Sequence, residues 1–78
     1  MIYKLFRNKN KEKLFLDMSY DKQDIIDALA NYMSCFISID YTIIENKDGK
    51  DTEIARIRSV EDYISFKYDI KKLERKNK

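Results

Sequence analysis

Ile37-Ser38-Ile39-Asp40-Tyr41-Thr42-Ile43-Ile44-Glu45-Asn46-Lys47-Asp48-Gly49-Lys50-Asp51-Thr52-Glu53-Ile54 decides the fold. From Phe36 to Glu45 nearly every residue is β-branched or aromatic. Ile37, Ile39, Tyr41 and Ile43 alternate with Ser38, Asp40 and Thr42, the period of a strand with one buried face. Asp48-Gly49 then supplies the pair that a type I′ hairpin turn needs, because both central residues of that turn have positive φ. The return strand is expected over about Thr52 to Arg58. A two-residue turn pairs Ile43 with Ile54 and Tyr41 with Arg56, the latter close enough for a cation–π contact. It also sets Ile57 on the opposite face from Ile54, so a bulge or a two-sided strand is expected.

Upstream, residues 1–18 read as a second hairpin. Folding the chain about Lys9-Asn10 sets Leu5 opposite Leu14, Tyr3 opposite Leu16 and Met1 opposite Met18, all on one face. The polar connection is Asn8-Lys9-Asn10-Lys11. The other face carries Ile2, Lys4, Phe6, Lys13, Phe15 and Asp17 and is mixed in character.

Between the hairpins lies a helix of about Lys22 to Met33 or Ser34. Asp21 is its N-cap and Asp24 stands at N3. Tyr20 and Ile25 have the spacing of a hydrophobic staple. Ile25, Ile26, Leu29, Ala30, Tyr32 and Met33 recur at helical spacing, with Lys22, Gln23, Asp27 and Asn31 on the polar side. The last segment carries two periods. Ser59 with Asp62 three residues on, then Val60, Tyr63, Phe66, Ile70 and Leu73, predicts a helix over about Val60 to Lys76. Ile64, Phe66, Tyr68 and Ile70 also alternate as a strand would. The helix is preferred because 71–76 are rich in helix formers and its basic end suits the helix dipole.

The expected fold is therefore α+β: one small domain over residues 1–78, in the order ββαββα. Two hairpins form an antiparallel sheet packed against one or two helices, and about 75–78 form a frayed basic tail. A chain of 78 residues buries only roughly 60% of its unfolded surface, so leftover apolar surface and self-association are expected.

The inventory limits the chemistry. The chain has no His, Trp or Pro, one Cys (Cys35) and one Gly (Gly49). Histidine-based nucleophilic catalysis, a zinc site of Cys and His ligands and a glycine-rich phosphate loop all lack their parts. No enzyme activity, cofactor or metal is expected. The acidic set Asp40, Glu45, Asp48, Asp51 and Glu53 lacks the ordered ligand series of a calcium loop and reads as a charged hairpin edge. Cys35, flanked by Met33 and Phe36, reads as a buried, inert thiol. A lone cysteine and the absence of a leader-like or membrane-spanning apolar run suggest a cytoplasmic protein. Abundant Lys and Ile with scarce Ala and Gly go with an AT-rich genome, such as that of a low-GC bacterium or of a phage or mobile element within one.

The net charge of +2 is unevenly spread. Residues 1–18 carry five cations against two acids, residues 19–53 three against eight, and residues 67–78 six against two. The leading expectation is a non-catalytic intracellular protein-binding module, of accessory, regulatory or inhibitor type, with a protein partner or a second copy docking on Ile2, Phe6, Phe15 and Tyr68. Six tyrosines support it, since tyrosine buries area while keeping a polar handle. The alternative is a nucleic-acid-binding module using Lys67, Lys71, Lys72, Arg75 and Lys76. Convergence of the basic N- and C-terminal segments on one face favours the alternative; their separation favours protein binding.

Overall fold

The computed structural model of the chain describes residues 1–35 and 38–68. Its elements are β1 (Ile2–Lys9), β2 (Glu12–Ser19), α1 (Lys22–Cys35), β3 (Tyr41–Lys47), β4 (Lys50–Ile57) and α2 (Val60–Tyr68). The ββαββα order holds. The four strands form one sheet in the order β2-β1-β3-β4, and every neighbouring pair is antiparallel. The two hairpins are thus joined by the β1–β3 ladder, with their turns at opposite ends of the sheet.

Both turns are two residues long with positive φ throughout. Asn10 and Lys11 have φ of 52° and 69°, and Asp48 and Gly49 have 55° and 80°. The second turn stands where Asp48-Gly49 predicts it. The first is centred one residue later than expected, so Lys9 pairs with Glu12, Asn8 with Lys13 and Arg7 with Leu14. The tighter turn gains a cross-strand pair of opposite charge, Lys9–Glu12, that the longer connection would leave unmade.

A bulge interrupts each edge strand. In β2 the extra residue is Leu16, between Phe6↔Phe15 and Leu5↔Asp17; in β4 it is Ile54, between Ile44↔Glu53 and Ile43↔Ala55. The expected pairing of Ile43 with Ile54 therefore fails by one residue, while the register nearer the turn is as expected. Tyr41 pairs with Ile57, not Arg56, so the cation–π contact between Tyr41 and Arg56 does not form. The bulge resolves the conflict between Ile54 and Ile57, since Ala55 and Ile57 can then both face the core. In β2 the bulge moves Met18 opposite Lys4, to the face away from Leu5, whereas the sequence pattern set it with the core.

One face of the sheet carries both helices. Leu5, Ile25, Leu29, Tyr41, Ile43 and Ile57 are fully buried, and Tyr3, Leu16, Tyr32, Met33, Ile39, Tyr63 and Phe66 pack around them. Each buried aliphatic side chain stabilises the fold by about 1.5–3 kcal/mol. Capping sets where the helices begin. Asp21 accepts the Gln23 amide at 3.0 Å, and Ser59 Oγ accepts the Asp62 amide at 3.1 Å while Asp62 accepts the Arg58 amide. Tyr20 is 76% exposed and forms no staple over Ile25. Ser19 holds this corner instead, accepting from the Asp21 amide and donating to Asp24.

Two further expectations change, and the helical reading of the last segment holds over the described residues. β3 starts at Tyr41 rather than Phe36: Ser38, Ile39 and Asp40 are not strand, and Phe36 and Ile37 lie outside the described residues. Cys35 is exposed, because it ends α1 beyond Met33, the last residue of that helix packed on the core. Residues 60–68 are helix, not strand; the expected continuation to Lys76 and the tail at 75–78 lie outside the described residues.

Candidate functional site: the helix-free sheet face

Alternation along the strands assigns the second face of the sheet. It carries Ile2, Lys4, Phe6 and Asn8 from β1, Lys13, Phe15 and Met18 from β2, Thr42 and Ile44 from β3, and Asp51, Glu53 and Arg56 from β4. No helix of the described residues covers it. At its centre the rings of Phe6 and Phe15 meet edge to face, with centroids 5.7 Å apart and planes at 68°. Such a pair adds about 0.5–1.5 kcal/mol beyond the area it buries. Phe15 remains 55% exposed and Met18 46% exposed, with Ile2, Phe6 and Ile44 half-buried beside them.

A polar cluster borders this patch at the Asn10 end. Arg56 donates to both carboxylate oxygens of Asp40, at 2.7 and 3.1 Å. The Asn8 side-chain amide donates to Asp40 at 3.1 Å and to Thr42 Oγ1 at 2.8 Å. Arg56 holds the Asp40 carboxyl below its ordinary value; partial burial opposes this and the Asn8 hydrogen bond adds to it. The Asn8 backbone N–H donates to the Asp40 backbone carbonyl at 2.8 Å, tying the segment before β3 to β1. Together with the β1–β2 turn these residues line a cleft of about 320 Å³ formed by Asn8–Lys13, Asp40 and Arg56. At the opposite end Asp51 accepts from Asn46 at 2.7 Å and lies 3.7 Å from the Lys4 ammonium. Asp40 and Asp51 are thus engaged at opposite ends of the face, and among the described residues no group of three or more Cys, Asp or Glu could hold a metal.

The structure brings Ile2, Phe6 and Phe15 together on this face and leaves Tyr68 elsewhere. Tyr68, 63% exposed, ends an outward stripe on α2 with Val60 and Ile64, at i, i+4 and i+8. Lys67 is exposed, its ammonium 5.9 Å from the Tyr63 ring and 5.3 Å from the Tyr68 ring. Lys71, Lys72, Arg75 and Lys76 lie outside the described residues. The ammonium of Lys22, the first residue of α1, sits 4.9 Å over the ring of Phe66 near the end of α2, so α2 runs back toward the start of α1. Lys67 therefore lies toward the Gly49 end of the sheet, away from Lys9, Lys11 and Lys13 at the Asn10 end.

Met18, Ile44 and the Asn8–Asp40–Thr42–Arg56 cluster were not legible as parts of one face. Met18 required knowledge of the bulge. The cluster joins residues 32 to 34 positions apart through a β1–β3 pairing that no local pattern announces. Among the described residues no helix is long and apolar enough to cross a membrane. No protein-family model, curated protein or solved structure matches the chain.

Proposed function

We propose that this chain is a non-catalytic intracellular protein-binding module that docks through its helix-free sheet face, and that the occupant of that face is a second copy of the chain. The observation that carries this reading is the apolar patch of Ile2, Phe6, Phe15, Met18 and Ile44 on a face that no helix of the described residues covers. Two features support a self-complementary pairing. The face bears Asp51 and Glu53 with Lys4 toward the Gly49 end, and Lys13 and Arg56 with Asp40 toward the Asn10 end, leaving one net negative and one net positive charge at the two ends. A two-fold axis across the strands therefore lays the acidic end of one copy over the basic end of the other. In area, four strands at about 4.8 Å spacing and about 26 Å length present roughly 500 Å² per copy. Two such faces give about 1,000 Å², the lower bound for a specific interface, so the pairing is reversible and concentration-dependent.

The separation of Lys67 from the hairpin lysines favours this reading over nucleic-acid binding by the C-terminal helix. The composition supports a non-catalytic role, and a single unpaired cysteine suits a reducing compartment. Sedimentation velocity across a dilution series tests the proposal. Dimer is expected at high concentration, and Phe15→Glu abolishes it with an unchanged circular dichroism spectrum. A monomer at every concentration, or a dimer indifferent to Phe15→Glu, overturns it.

A further inference from the structure

The cleft beside the apolar patch carries a chemistry of its own. Its lining gathers Lys9, Lys11, Lys13 and Arg56 against Glu12 and Asp40, a surplus of two positive charges around about 320 Å³. Its volume falls at the lower end of small-ligand pockets, about 300–1,000 Å³. The three lysines are exposed, with long stems that let their ammonium groups turn toward a ligand. Arg56 is different in kind. Its guanidinium is held flat by the two-point bond to Asp40, and Asp40 is fixed in turn by Asn8. With Nε and one Nη2 hydrogen committed to Asp40, an arginine positioned in this way presents the donors of its other edge, Nη1 and Nη2, without losing side-chain entropy when a ligand arrives, and that planar edge matches the oxygens of a phosphate. The opposite end of the sheet has no such arrangement, since Lys4 faces Asp51 and Lys47 stands across from Lys50 beside Asp48.

The geometry points to an oxyanion site in this cleft, taking the phosphate groups of a polyphosphate or phosphodiester chain. Lys9, Lys11 and Lys13 supply charge, Arg56 supplies directed donors, and Asp40 is a positioning residue that orients Arg56. Phe15 lies two residues from Lys13 on the same face, so a flat ring attached to the phosphate can rest against its exposed surface. The site shares Lys13, Arg56 and Phe15 with the face proposed for self-pairing, so a bound ligand and a second copy compete for them, and the cleft is read at concentrations where the chain is monomeric.

The test is a chemical-shift titration of the full chain at low salt with two probes, sodium tripolyphosphate and a single-stranded thymidine oligonucleotide. Saturable shifts are expected at residues 8–13, Asp40 and the Arg56 side chain. The triple variant Lys9→Gln, Lys11→Gln, Lys13→Gln should weaken binding at least about tenfold, because each lost phosphate contact also forfeits counterion release. Arg56→Lys keeps the charge, loses the fork and should weaken binding while the fold persists. The control Lys47→Gln with Lys50→Gln should leave affinity unchanged. Equal affinity for the two probes identifies a compact phosphate ligand; tighter oligonucleotide binding with shifts extending to Phe15 identifies a nucleic-acid strand. Absence of saturation with both probes overturns the site. So does an equal loss of affinity in the Lys47/Lys50 control.

Discussion

Arg56 and Asp40, sixteen residues apart, meet through two parallel hydrogen bonds of 2.7 and 3.1 Å on the helix-free face. The bond clamps the chain just before β3 to the edge strand β4. It also makes stability depend on acid. The folded Asp40 carboxyl titrates below its ordinary value of 3.8, chiefly because Arg56 bonds the charged form. A depressed value means the folded state favours the carboxylate, so this contribution is complete well above pH 3.8 and is lost as pH falls through the folded value. A carboxyl titration followed by NMR should place the Asp40 midpoint below 3.8, and Asp40→Asn should flatten the acid limb of the stability profile. An Asp40 midpoint at or above 3.8 contradicts this account.

Tyr41 is fully buried and its hydroxyl has no hydrogen-bond partner among the described residues. Burial pushes its phenol above the ordinary value of 10.0. An unsatisfied buried hydroxyl costs about 1–3 kcal/mol, and phenylalanine keeps the ring without it. Tyr41→Phe is therefore expected to raise stability by about 1 kcal/mol, read as a higher urea midpoint with an unchanged slope. A lowered midpoint would show that the hydroxyl is bonded.

The two turns respond oppositely to glycine. At Gly49 a side-chain carbon meets nothing within 4 Å, so Gly49→Ala costs only the backbone strain of φ +80°, about 1 kcal/mol. At Lys11 the same strain is already present, with φ of 69° on a residue that has a side chain. Lys11→Gly should recover a few tenths to about 1 kcal/mol. Thermal unfolding of the two variants gives shifts of opposite sign; shifts of the same sign would exclude backbone strain as the cause.

Cys35, exposed at the end of α1, should react with a thiol reagent in the folded protein nearly as fast as in urea. Cys35→Ser should leave stability within about 0.5 kcal/mol of the parent, as surface substitutions do. Strong protection of the thiol would return Cys35 to the core.

Local signals carried much of this fold. The Asp48-Gly49 turn, the caps at Asp21 and Ser59, and the stripe of Ile25 and Leu29 each depend on residues within one turn of chain, and each stands where the sequence sets it. What failed depended on tertiary context. The period-two rule sends Met18 to the core, and one bulge at Leu16 sends it to the other face. The apolar neighbours of Cys35 suggested burial, but the core ends at Met33. Ile2, Phe6 and Phe15 could be grouped by parity alone, whereas Tyr68 could not be excluded from them without the placement of α2. The Asp40–Arg56 pair needed the register of β4 after its bulge, which the turn alone misassigns.

Both bulges lie beside one rung, Leu5↔Ile43, so the two outer strands bend at nearly the same height. Among the described residues these two strands, β2 and β4, are the ones with an unpaired edge. A bent edge with one residue out of register is a poor template for another strand, and lengthwise growth of the sheet from copy to copy would stall there. Whatever assembly this chain enters should therefore be finite. Deleting Leu16 and Ile54 would straighten both borders, and the expected consequence is slow, open-ended polymerisation into fibrils.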